Sequence, residues 1–278
     1  MIKNLNISFI GGGNMAYSLI HGLVDNGVDV ARIRIGEPNH SRRKELSKSL
    51  KVETYADNLA SIENSEIIVL AVKPQIVKTV ITQVADKISH NNALILSIAA
   101  GISIQNIESW GKPAIPIIRA MPNTPSLVRS GITALCKNLH VSPNQKKQAE
   151  SIMSSVGTVI WLEDEKLMNT ITAISGSGPA YFFYFMESLV QAAILEGINE
   201  TLARKLVLDT TNGAAQLASK TKEPLSILRE KVTSPGGTTE AAIKVFETND
   251  FKKVIKKAVS AARIRAENLI IPSGNNDE

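Results

Sequence analysis

The stretch "FIGGGNMA", Phe9 to Ala16, decides the fold. Gly11, Gly13 and Ala16 fit the pattern G-x-G-x-x-A. An apolar run, "NISFI", precedes it, and a segment of helical period, Asn14–Asn26, follows. In that setting the first glycine permits a tight turn. Gly13 lets a pyrophosphate approach the backbone, and Ala16 lets helix and strand pack closely. The free amides of Asn14, Met15 and Ala16 would then meet an anion at the positive end of the helix. A plain structural turn is the bland alternative, and a strand before and a helix after favour a dinucleotide.

Outward from this turn the pattern repeats. "RIRIG", "EIIVLAV", "ALILSIA", "AIPIIRA", "ITALC" and "TVIWL" read as further strands. Ser41–Leu50 and Gln75–Lys87 have helical period between them. Strand, helix, strand in succession implies an α/β, Rossmann-like, doubly wound and mainly parallel sheet. The central runs are apolar on both faces, as strands covered on both sides must be. After about Glu163 the strand signal stops. Ala180–Gly197, Thr201–Lys220, Pro224–Val232, Thr238–Glu247 and Phe251–Ile271 all read as helices. We therefore expect a dinucleotide-binding domain over 1–163 and an all-helical domain over 164–278, with a frayed tail at "PSGNNDE".

The totals bound the function. The net charge is +5 and aromatics make up 4% of 278 residues. That suits a small anionic ligand and gives no nucleic-acid surface, since no Lys/Arg block is interleaved with aromatics. The lysines of the last helix, Lys252, Lys253, Lys256 and Lys257, lie off its apolar face and read as solvated. One cysteine, Cys136, excludes an intrachain disulfide and suits a reducing compartment. It lies in an apolar strand, which argues against a reactive role. His21, His40, His90 and His140 lack metal-ligand spacing, so no metal site is expected. Asn169–Met186 carries no charge, yet "SGSGP" inside it argues for a loop feeding a helix rather than a membrane span. The start of the chain lacks the features of a secretory signal. We expect a cytoplasmic protein.

The second strand ends in "GEPNHSRR". Glu37 stands about 20 residues past the glycines, where an acid bonds the ribose hydroxyls of NAD. An acid there would repel a 2′-phosphate, whereas Asn39, Ser41, Arg42 and Arg43 could hold one. The two signals conflict. The basic set tips the reading to NADPH, with NADH as the alternative.

Four more stretches matter: "AVKPQ" (Ala71–Gln75), "MPNTP" (Met121–Pro125), "SGSGPAY" (Ser175–Tyr181) and "SPGGTT" (Ser234–Thr239). With the glycine turn, in this order, the chain resembles the pyrroline-5-carboxylate reductase family from about Ile7 to Glu267. Each stretch alone has an ordinary structural explanation; together they are specific. The resemblance implies reduction of the cyclic imine Δ1-pyrroline-5-carboxylate to L-proline by NADPH or NADH. It also implies a homodimer with interlocked C-terminal helices, able to build a decamer, whose active site uses both chains.

The resemblance carries over residue by residue. Ala71, Val72, Lys73 and Pro74 would border the cofactor, Asn58 its adenosine phosphate, and Met121, Asn123 and Thr124 the nicotinamide. Ser175, Gly176, Ser177 and Gly178 would pass close to the substrate. "SPGGTT" opens a helix, so its amides form an anion site. Gly236, Gly237 and Thr238, with Ser234 in the same turn, would take the substrate carboxylate, and Thr239 would offer its hydroxyl to the imine nitrogen. N-capping by Ser234 or Thr238 is the competing explanation. Lys166 and Asn169 are three apart, not the four of the related β-hydroxyacid dehydrogenases, so Lys166 reads as a surface residue. Two rival readings stay open: a reductase of another cyclic imine, and a dinucleotide-binding regulator without turnover.

Overall fold

The computed structural model describes residues 2–268. In chain order the elements of the sheet region are β1 (Ile7–Ile10), α1 (Asn14–Asp25), β2 (Ile33–Gly36), α2 (His40–Leu50), β3 (Glu53–Tyr55) and α3 (Asn58–Ser61). Then come β4 (Ile67–Leu70), α4 (Pro74–Asn91), β5 (Leu94–Ser97), α5 (Ile104–Trp110), β6 (Ile117–Met121), β7 (Gly131–Lys137), α6 (Pro143–Met153) and β8 (Gly157–Trp161). One eight-stranded sheet has the order β3-β2-β1-β4-β5-β6-β7-β8. Every neighbouring pair is parallel except β6 with β7. The strand order reverses between β1 and β4, the switch point where open α/β sheets bind ligands.

Both faces of the sheet are covered, which explains the continuous apolar runs. Ile67 and Val69 of β4 join one cluster, with Leu19 and Leu23 of α1, Leu46 of α2 and Ile152 of α6. Ile68 and Leu70, the alternate residues, join another, with Val77, Ile81 and Ile88 of α4 and Ile107 of α5. A strand residue points to the opposite face from its neighbour, so a strand buried twice needs no polar alternation. Cys136 lies inside the second cluster, where burial, reinforced by the Glu165 charge, pushes its thiol pKa up.

β3 was absent from the sequence reading. It is three residues at the sheet edge, led by the exposed Glu53. An edge strand buries too little to need an apolar run.

The remaining elements are all helical: α7 (Met168–Ile171), a π-helical turn at Thr172–Gly176, α8 (Gly178–Leu195), α9 (Glu200–Lys220), α10 (Leu225–Lys231), α11 (Thr238–Thr248) and α12 (Phe251–Glu267). The chain divides into two compact units. Among the described residues, one takes 2–177 together with 262–268; the other spans Gly178–Ala261. "SGSGP" is not the expected loop: Ser175 and Gly176 close the π turn, and Gly178 and Pro179 open α8. Pro179 is the second residue of α8, where its missing N–H breaks no helical bond within that helix. No helix among the described residues is long and apolar enough to cross a membrane. The expected extension of the last helix to Ile271 and the frayed tail lie outside the described residues.

Candidate active site

In the first unit, six parallel strands end at one edge of the sheet, and the predicted cofactor residues lie at the ends of five of them, β1, β2, β3, β4 and β6. Gly11 sits just after β1 with φ +98°, and a Cβ there would lie 2.6 Å from the Ala71 carbonyl oxygen. That close approach joins the first turn to "AVKP" across the switch point. Ala71 in turn donates its amide to the Ile10 carbonyl at 2.9 Å. Gly13 is the N-cap of α1, with no side-chain cap and nothing within 4 Å of where its Cβ would be. The mouth of α1 thus has open space over Gly13, and the amides of Asn14, Met15 and Ala16 donate to no protein group among the described residues. This is a cradle for an anion of pyrophosphate type. Lys73 caps α4 without a side-chain bond, and Pro74 begins it, so a second helix mouth opens at the same edge.

Glu37 resolves half of its conflict. Its carboxylate accepts from the Gly12 amide and from the Asn39 amide, each at 3.0 Å. It is tied to the glycine turn itself. Asn39 caps α2 by accepting from the Arg42 amide at 3.0 Å. Arg42 donates Nε to the Gly12 carbonyl at 2.8 Å and pairs with Glu45 at 2.7 Å. Arg43 donates to the Glu37 and Pro38 carbonyls. Acid and guanidinium therefore grip the turn from two sides. Asn58 opens α3 beside the end of β2, its Oδ1 2.8 Å from where a Gly36 Cβ would stand, and it donates to Gln83 at 3.2 Å.

The loop after β6 meets the π turn. Asn123 is 9% exposed, and both ends of its amide are engaged. Nδ2 donates to the Ser175 carbonyl at 3.1 Å, and Oδ1 accepts from the Ile132 amide at 3.0 Å. A Cβ on Gly176 would lie 2.7 Å from Met121 Cε, so the glycine gives Met121 room. Thr124 opens a short 3-10 helix, Thr124–Val128. The Ser177 amide donates to the Thr172 carbonyl at 2.8 Å, the bond of the π turn, and the Ser175 hydroxyl turns back to the Ile171 carbonyl at 3.0 Å. Beneath this segment Arg119 of β6, buried, pairs with Glu165 at 2.7 Å, and Glu165 also accepts from the Ile104 amide at 3.0 Å. Lys166 is exposed, as its spacing from Asn169 suggested.

In the second unit, "SPGGTT" is the mouth of α11. Gly237 is the N-cap and no side chain caps it, so capping by Ser234 or Thr238 is not what this turn does. Gly236 has φ +72°, which favours glycine. The turn holds itself: Gly237 donates to the Ser234 carbonyl at 2.9 Å, and Gly236 donates to the Glu240 carboxylate at 2.7 Å. Among the described residues the amides of Thr238 and Thr239, and the Thr239 hydroxyl, have no protein partner. Two amides expected to bind a ligand therefore shape the turn, and the donors lie one step further along. Glu240 escaped the sequence reading, although its place three residues after the N-cap is where a capping box puts an acid. A cleft of about 770 Å³ between α10 and α11 reaches Gly236 and Gly237.

The comparisons with known proteins fit this geometry. A family model described as pyrroline-5-carboxylate reductase dimerisation matches residues 165–269. A curated pyrroline-5-carboxylate reductase from Pseudomonas aeruginosa is 42% identical over 264 residues, covering 95% of this chain and 96% of that one. The chain belongs to the pyrroline-5-carboxylate reductase family. The solved family member from Coxiella burnetii superposes with a TM-score of 0.90 at 44% identity, covering 95% of this chain and 98% of that one. The Plasmodium falciparum enzyme, solved with NADP bound, gives 0.88 at 31% identity over 98% of this chain and all of its own. Residues 6–101 also match a family model described as NADP oxidoreductase coenzyme F420-dependent. The dimerisation match falls on helices that carry bare apolar side chains, among them Tyr184 at 72% and Leu195 at 88% exposure. A family named for dimerisation gives those faces a reason.

Proposed function

We propose that the chain reduces the C=N bond of Δ1-pyrroline-5-carboxylate to L-proline, the last step of proline synthesis, using NADPH in preference to NADH. One observation carries this: reductases of that name match the chain almost end to end, on a sequence that holds "MPNTP", "SGSGPAY" and "SPGGTT" together.

The cradle at Gly11, Gly13, Asn14, Met15 and Ala16 would hold the pyrophosphate, with Asn39, Arg42 and Asn58 on the adenosine side. Ala71–Pro74 would border the cofactor, and Met121, Asn123 and Thr124 its nicotinamide. The bound dinucleotide supplies hydride, and the protein supplies position. At the mouth of α11, Thr238 and Thr239 have amides free for one carboxylate, with Ser234, Gly236 and Gly237 holding the turn in shape. The Thr239 hydroxyl then orients the imine nitrogen. An imine that arrives protonated needs no strong acid, which suits a site whose nearest candidate is a threonine. Ser175–Gly178 would keep the substrate close, and fixing two reactants in register can remove roughly 7–11 kcal/mol of barrier in the best cases. We further propose a cytoplasmic homodimer, with a decamer as its higher assembly, built on the bare apolar faces of the helical unit.

The test mixes the purified protein with Δ1-pyrroline-5-carboxylate and follows loss of reduced-nicotinamide absorbance, with NADPH and NADH in parallel. Loss with L-proline as product, faster with NADPH, is expected. A folded protein that binds NADPH yet consumes none would overturn the substrate assignment.

A further inference from the structure

Two of the motifs are joined by one hydrogen bond, and its cause lies in a proline. In an α-helix the carbonyl of residue i accepts from the amide of residue i+4. For Ser175 that residue is Pro179, which has no N–H. The sequence of its own motif thus denies the Ser175 carbonyl an α-helical partner. Asn123 fills the gap: Nδ2 donates to this oxygen at 3.1 Å. Its other end is fixed by the Ile132 amide at 3.0 Å, so the side chain is held between the start of β7 and the π turn. A carbonyl left unpaired in a fully buried setting costs about 1–3 kcal/mol; Ser175 is half-buried, so its bond to Asn123 gives the π turn a smaller reason of the same kind to stay in place. Met121 Cε packs against Gly176 on the same segment.

We infer that Asn123 is a positioning residue. It acts through Ser175, docking the π turn of "SGSGP" onto the loop after β6, with Nδ2 on the Ser175 carbonyl and Oδ1 fixed by the Ile132 amide. The inference rests on the proposed reaction, in which these two segments border hydride donor and acceptor. A small slip between them misplaces the reacting atoms, and displacements of that size slow enzymes strongly.

The test is a double-mutant cycle on the full-length enzyme, with imine reduction as readout. Asn123→Asp keeps an oxygen for the Ile132 amide and removes the donor to Ser175. It should lower kcat about tenfold or more, with KM for NADPH changed by less than about threefold and a folded circular-dichroism spectrum. Pro179→Ala restores an N–H within the helix that can reach the Ser175 carbonyl. In the Pro179→Ala background Asn123→Asp should therefore cost several-fold less, a non-additivity that marks a shared partner. An equal cost in both backgrounds, or no cost in either, would overturn the inference. If Asn123→Asp does not fold, Asn123→Ala enters the same cycle with the same outcomes. Absence of turnover in the wild type would indict the functional reading; a flat cycle on an active wild type indicts only the role of Asn123.

Discussion

Glu37 reaches back from the end of β2 to the amide of Gly12, accepting at 3.0 Å while its other oxygen accepts from Asn39. An acid at this position of a dinucleotide fold ordinarily meets the ribose. Here it braces the turn that would hold the pyrophosphate. Glu37→Ala should therefore weaken NADPH and NADH alike, by roughly the ~1–3 kcal/mol of a lost charge-assisted bond, and leave their ratio within about twofold. Paired titrations of both cofactors read this directly. A large shift toward NADPH would place Glu37 on the ribose instead.

Gly11 tolerates no side chain. A Cβ would stand 2.6 Å from the Ala71 carbonyl oxygen, on a backbone with φ +98°. Gly11→Ala should destabilise the fold by ~1–3 kcal/mol from the backbone conformation alone, and push the first turn off the switch point. Thermal melting should fall, and NADPH affinity should fall with it. Gly13→Ala, where nothing lies within 4 Å, should melt like the wild type but bind NADPH poorly. Equal melting losses for both variants would refute the distinction.

Thr239→Val keeps the shape and removes the hydroxyl. The amides of the α11 mouth survive, so substrate KM should change little. Turnover should fall about a hundredfold to a thousandfold, the range seen when one oriented donor is removed from an active site. NADPH affinity, measured by fluorescence, should stay within about twofold. Unchanged turnover would remove Thr239 from the mechanism.

Arg119 and Glu165 form a pair that stability should report. Arg119 is buried, and Glu165 also ties down the start of α5. Glu165→Gln leaves the guanidinium without its counter-charge, which typically costs ~3–5 kcal/mol. Replacing both, Arg119→Met with Glu165→Leu, should recover much of that loss in urea unfolding. Equal losses for the single and the double variant would show that the charges do not matter to the fold.

The sheet was legible because burial on both faces writes itself as unbroken apolar runs: all seven strands read from the sequence are present. β3 was not, since Glu53–Tyr55 sits at an edge and buries little. The site was legible in its motifs and not in its hydrogen bonds. Glu240 stands where a capping box puts an acid, but that it takes the amide of Gly236 rather than that of the N-cap depends on how α11 begins. Arg119 is one charge inside an apolar strand, and its partner lies 46 positions away. Asn123 and Ser175, separated by 52 positions, are brought into hydrogen-bond contact by the fold alone. The missing N–H of Pro179 was the one local sign that the Ser175 carbonyl needed an outside partner.

The most direct measurement supplies NADPH carrying deuterium at both positions of the nicotinamide C4, with Δ1-pyrroline-5-carboxylate and the purified protein, and reads the product by mass spectrometry. L-proline one mass unit heavier is expected, with the deuterium on the former imine carbon. Proline without deuterium, or no proline while NADPH stays bound, would contradict the proposed reduction.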